Sequence, residues 1–228
     1  MIDNMYIYNK VNTLRLFASM ILLALVCLFS SCSEKEDDTE EYADWQTVNE
    51  TYWESLYEST QKKIAAGDDS WKIIPTWTKN TTATLTKNDY VIVHVITEGT
   101  GSGSPIYSDS VRVHYRGRLL PSLTYTSGYQ FQSTWSGTEL DVTSAIPYTV
   151  QVAGIDGWAT ALMQMHIGDR WELYIPYTLA YGTAGTTSSS TNSTSIPGYS
   201  TLIFDVMLVS YWRAGAVMPP FKAKEFDI

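Results

Sequence analysis

The sequence predicts an α+β fold in which one curved antiparallel β-sheet wraps on one short amphipathic helix, with an extra helix ahead of it. Three observations carry this. In residues 155–185 the apolar residues first recur at helical spacing (Trp158, Leu162, Met165). After a Gly168-Asp169 turn they recur at strand spacing (Trp171, Leu173, Ile175), until Pro176 stops the run. A period that switches from about 3.6 to 2 across one glycine marks a helix laid against a sheet. Further runs at 90–96, 111–117 and 201–209 are rich in β-branched and aromatic residues, as strands require. Ahead of them, Trp45, Val48, Tyr52, Leu56 and Ile64 are spaced for one face of a helix.

The chain of 228 residues, 44% hydrophobic and 13% aromatic, is long enough to bury a core. Its formal net charge of -9 argues against nucleic acid as a partner, since phosphate binding needs a basic patch. Both cysteines, Cys27 and Cys32, lie near the N-terminus, so the folded body has no thiol or disulfide. Lys10 and Arg15 precede an apolar run from 16 to 29, too short to span a bilayer and of the length of a signal-peptide core. Ser30 and Ser31 stand before Cys32, which resembles the lipobox of bacterial lipoproteins. Residues 1–31 then read as a signal peptide and Cys32 as the lipidated N-terminus, held to an outer membrane of the cell envelope by acyl chains such as palmitate. An ordinary secretory signal with an incidental cysteine is the other reading.

Residues 32–43 form an acidic tether, too poor in apolar residues to fold alone. Its charges also resemble the surface-export signals of Bacteroidetes-type lipoproteins, and a plain tether has the same composition. Residues 44–88 form the helical extension, with Asp44 as N-cap and Gly67 as the stop. Its aromatic face either packs on the domain or adds a surface for holding substrate. Residues 71–77 (WKIIPTW) follow as an extended segment broken by Pro75. The main domain occupies 89–212, Thr183 to Ser195 within it is a polar run read as a mobile loop, and 213–228 is a loosely packed tail.

Several segments are together similar to the FKBP-type peptidyl-prolyl cis-trans isomerases: V-x-V-H-Y-x-G at 111–117, G-W-x-x-x-L-x-x-M-x-x-G at 157–168, L-x-I-P-x-x-L-A-Y-G at 173–182, and the final strand around Phe204. The resemblance implies a pocket walled by Tyr115, Phe131, Tyr148, Val150, Ile155, Ile196 and Phe204, with the Trp158 indole as its floor. It also implies that the Ile155 N–H and the Tyr181 hydroxyl bond the substrate. Where the family carries an aspartate paired with the pocket tyrosine, this chain has Gln132, an amide that both donates and accepts.

The implied ligands are proline-containing polypeptides and the macrolide inhibitors of the family, bound by a monomer without a cofactor. His94, His114 and His166 show neither metal-ligand spacing nor a nucleophile partner and read as structural or surface residues. Three functions follow as expectations: an isomerase for exported proteins, a proline-peptide binding or chaperone module that lost turnover through Gln132, and a surface lipoprotein using the fold for adhesion or assembly.

Overall fold

In this computed structural model the described residues are 40–80, 82–186 and 195–221. Among them, seven strands pair antiparallel in one sheet. The elements are α1 (Trp45–Ala65), β1 (Trp71–Pro75), β2 (Tyr90–Thr97), β3 (Ser110–Arg118), β4 (Gln130–Ser133), β5 (Tyr148–Gln151), α2 (Asp156–Leu162), β6 (Arg170–Ile175) and β7 (Leu202–Trp212). Their order across the sheet is β1-β2-β6-β7-β3-β4, with β5 also paired to β3. The extension therefore contributes an edge strand, β1, which Pro75 can end because no further strand needs its N–H. Cys27, Cys32 and most of the tether and polar loop lie outside the described residues. Among those described, no helix is long and apolar enough to cross a membrane.

Helix α2 sits on the sheet because its residues are small or apolar at every turn. Ala159, Ala161 and Leu162 are fully buried, as is Met165 just beyond, against Leu173, Ile175 and Leu202. Each side chain the size of leucine contributes about 2 kcal/mol on burial. The approach is close enough to demand Gly157, where a Cβ would lie 2.2 Å from Ile175 Cγ2. On β2, Val91, Ile92 and Val93 are all fully buried, so the sheet is covered on both faces there.

The buried face of α1 differs from the expected one. Trp45, Asn49, Trp53 and Thr60 are buried and Tyr52, Leu56 and Tyr57 pack partly on the core, whereas Val48 and Ile64 are each 41% exposed. Hydrogen bonding decides the face: Asn49 and Trp45 satisfy polar groups of the domain that an apolar side chain would leave unpaired. Asp44 stands at the N-cap but in the left-handed region (φ 50°), with no side-chain capping bond. Gly67 ends the helix at φ +88°, as its position predicts.

Two turns far apart in sequence are held by one carboxylate. Asp169 Oδ1 accepts the Gly99 N–H at 2.6 Å and Oδ2 the His166 N–H at 2.7 Å, while Gly101 N–H reaches the Ile167 carbonyl at 3.1 Å. Of the C-terminal tail, residues 213–221 are among those described. Arg112, 8% exposed, lies between the rings of Trp212 and Phe221 and donates to the Pro219 carbonyl at 2.8 Å.

Candidate functional site: an aromatic cup

Strands β3 and β7 run side by side with Tyr115 opposite Val206 and Gly117 opposite Phe204. This places the rings of Tyr115 and Phe204 on the same face, and α2 brings Trp158 up to them. The Trp158 ring centroid lies 5.3 Å from that of Phe204 and 5.6 Å from that of Tyr115, both at inclined angles that suit the ring quadrupoles. Gly117 has no side chain because a Cβ there would meet Phe131 at 2.4 Å and Phe204 at 2.8 Å. Tyr115 is held in place through its backbone: its N–H donates to Thr134 Oγ1 at 3.0 Å and its carbonyl accepts the Thr134 N–H at 2.9 Å.

The result is a cavity of about 220 Å³, lined by Tyr115, Trp158, Phe204 and Tyr181, by Gln132 and Val150, and by Gln151, Ala153, Gly154 and Ile155. Apolar cavities of about 150 Å³ hold a benzene-sized ring. This one therefore suits a single small ring. A larger cleft of about 510 Å³ lies between α1, Lys87 and Tyr177, but there Trp53 and Tyr177 share the lining with Glu50, Glu54 and Lys87, so that cleft is charged where the cup is not.

Among the described residues no charged side chain lines the cup. Burial, with Tyr148 and Tyr181 nearby, pushes the Tyr115 hydroxyl up to about 12, and burial also raises that of Tyr181. Both are therefore neutral donors at pH 7. His114, next to Tyr115 on β3, is 2% exposed, and its Nδ1 finds no partner among the described residues. Burial lowers it to about 4, so it is a neutral part of the packed sheet. His94 stacks on Trp71 with ring centroids 4.5 Å apart, and His166 lies 3.6 Å from Asp169. Among the described residues no three His, Cys, Asp or Glu side chains gather as a metal site.

Seven of the residues singled out from sequence meet at the cup: Tyr115, Gln132, Val150, Ile155, Trp158, Tyr181 and Phe204. Three stand outside its lining. Phe131 backs Phe204 edge-on at 5.6 Å, Tyr148 is 56% exposed and edge-on to Tyr115 at 6.5 Å, and Ile196 is buried in the core at 5% exposure. Gln151, Ala153 and Gly154 line the cup without having been singled out.

The site is an uncharged aromatic cup where β3, β7 and α2 meet, in a one-sheet α+β domain with one helix across it. The model of the FKBP-type peptidyl-prolyl cis-trans isomerase family matches residues 101–209. The chain is 38% identical over 120 residues to "Macrophage infectivity potentiator" of Trypanosoma cruzi, covering 53% of this chain and 52% of that protein. It is 34% identical over 127 residues to "FK506-binding protein 1A" of Neurospora crassa, covering 55% of this chain and 92% of that one. The crystal structure of FkpA from Escherichia coli shares the fold at a TM-score of 0.50 and 24% identity, over 89% of this chain and 71% of that chain. The chain belongs to the FKBP-type peptidyl-prolyl cis-trans isomerase family. It spans about half the length of the Trypanosoma cruzi relative (52%).

Proposed function

We propose that this protein accelerates cis-trans rotation of X-Pro bonds in polypeptides. The observation that carries the reading is the uncharged cup formed by Tyr115, Trp158 and Phe204, with Tyr181 in its lining. The rotation barrier of about 18–20 kcal/mol comes from amide resonance. Resonance is strongest when the carbonyl is solvated and the bond planar. A dry cup that takes the pyrrolidine ring favours the twisted, less polar amide over the planar one, which is binding selective for the transition state. Tyr181 orients the carbonyl as a neutral donor, and the Ile155 N–H at the start of α2 offers a second. No proton is transferred in this scheme, so neither hydroxyl needs to ionise.

A second reading, a proline-peptide binding or chaperone module of low turnover, is favoured by Gln132. Its amide lines the cup where the family resemblance implies a carboxylate. The macrolide ligands of the family would enter the same cup. The lipobox-like segment before Cys32 supports anchoring in the cell envelope, with exported polypeptides as substrates.

The deciding experiment is an exchange measurement of cis-trans rates in X-Pro tetrapeptides with protein beginning after Cys32. Acceleration that disappears in Trp158→Ala supports the isomerase. A folded protein that binds the peptides without accelerating them supports the second reading.

A further inference from the structure

Helix α1 lies outside the residues that the family model matches, yet its first two turns hold the segment that leads back to the cup. Trp45 Nε1 donates to Ser200 Oγ at 2.8 Å, and that hydroxyl donates on to the Pro197 carbonyl at 2.7 Å. One turn later Asn49 Oδ1 accepts the Thr201 N–H at 2.7 Å, and Asn49 Nδ2 donates to the Trp45 carbonyl at 2.8 Å. Asn49 and Thr201 are each 1% exposed and Ser200 3%. Burying an amide side chain in a helix face is costly unless every group is paired, and here the Asn49 oxygen meets the Thr201 amide directly.

The turn held in this way is tight. Tyr199 has a positive φ of 62°, and a Cβ on Gly198 would lie 2.0 Å from the Thr183 carbonyl oxygen. From the turn a short path leads to the pocket. The Tyr199 N–H donates to the Gly182 carbonyl at 3.0 Å, and the Gly185 N–H to the Tyr181 carbonyl at 3.1 Å. The Tyr199 ring also packs on Tyr177, whose carbonyl accepts the Gly182 N–H at 2.8 Å. On the other side, Thr201 leads directly into β7 and Phe204. Two residues of the cup, Tyr181 and Phe204, thus depend on backbone that α1 holds from behind.

We propose that α1 is a positioning element for the cup, with Asn49 as its principal positioning residue and Trp45 as the second. The proposal deepens the isomerase reading and rests on it for its kinetic readout. Asn49 touches no substrate and acts through the 197–201 turn.

The test uses the full chain carrying Asn49→Leu, Asn49→Asp or Trp45→Phe, with amide exchange at Thr201 and Michaelis parameters for an X-Pro peptide measured well below the melting temperature. Asn49→Leu is expected to speed Thr201 exchange and raise KM roughly tenfold, with kcat changed less. Asn49→Asp keeps the acceptor for the Thr201 N–H but sets a carboxylate oxygen against the Trp45 carbonyl, so its KM is expected to fall between those of Asn49→Leu and the wild type, and Trp45→Phe is expected to give a smaller rise than Asn49→Leu. Should Asn49→Leu not fold, the rise in Trp45→Phe decides. Faster Thr201 exchange with an unchanged KM would overturn the proposal, leaving the helix a purely structural part. If the wild-type protein itself accelerates nothing, the isomerase reading falls. Positioning is then judged on affinity for the proline peptide, where a loss in the Asn49 and Trp45 variants supports it and equal affinity overturns it.

Discussion

The ring of Tyr115 stands edge-on to the indole of Trp158, 5.6 Å between centroids at 65°. One ring comes from a central strand and the other from the helix laid across it, so the cup exists only when α2 is seated. Chemistry and stability are therefore coupled at this contact. Trp158→Ala removes the floor and leaves a cavity in a well-packed region, with an expected loss of about 3 kcal/mol in urea unfolding. Trp158→Phe keeps most of the apolar volume and should lose far less stability, yet still slow X-Pro exchange. An unaltered rate in both folded variants would remove the cup from the mechanism.

Tyr181→Phe deletes one hydroxyl from a residue that lines the cup, and nothing else. One hydrogen bond of about 1 kcal/mol corresponds to roughly a fivefold fall in kcat/KM. Stability should stay within about 0.5 kcal/mol of wild type, because the residue is 40% exposed. Peptide kinetics alongside thermal melts separate the two effects.

Gln132→Asp places a carboxylate beside the cup, the group implied there by the family resemblance. On the isomerase reading it raises kcat/KM, and on the low-turnover reading it creates activity where there was little. The same tetrapeptide assay, run side by side with wild type, distinguishes these from a variant that changes nothing.

His114 makes stability depend on pH. Its folded value of about 4 lies below the ordinary 6.5 because burial disfavours the charged form. Above pH 6.5 both folded and unfolded chains hold it neutral, and its contribution is fully present. As pH falls from 6.5 towards 4 the unfolded chain takes up a proton that the folded one refuses, so stability is lost, by up to about 3 kcal/mol. His114→Leu should remove this part of the pH dependence. Denaturation midpoints between pH 7.5 and 4.5 for both proteins measure it, and parallel curves would show that His114 is not responsible.

Asp169→Asn keeps the shape of a side chain that accepts two backbone N–H groups at 2.6 and 2.7 Å but removes its charge and one acceptor. A cost of about 2 kcal/mol is expected, with faster amide exchange at Gly99 and His166. Unchanged exchange at Gly99 would show that the 99–101 turn is held by other contacts.

Much of the fold is local in origin and therefore legible along the chain. The alternation of β2, β3, β6 and β7, the glycine that separates α2 from β6, and the order of Tyr115, Trp158, Tyr181 and Phe204 are all properties of short segments, since backbone sterics and side-chain period act over a few residues. The face of α1 was not legible, because Val48 and Ile64 suit a buried stripe better than Asn49 does until the unpaired Thr201 amide comes into view. The same holds for the cup wall. Phe131 and Tyr148 are as aromatic as Tyr115, and only the bulged β3–β4 register and the course of the chain into β5 set them behind or beside the cavity. Sequence by itself determined the elements, their types and the residues from which an aromatic pocket could be built. The tertiary structure decided which of them face the pocket and what stands behind it, because those choices rest on contacts between groups up to 155 residues apart, where packing and hydrogen-bond satisfaction outweigh local preference.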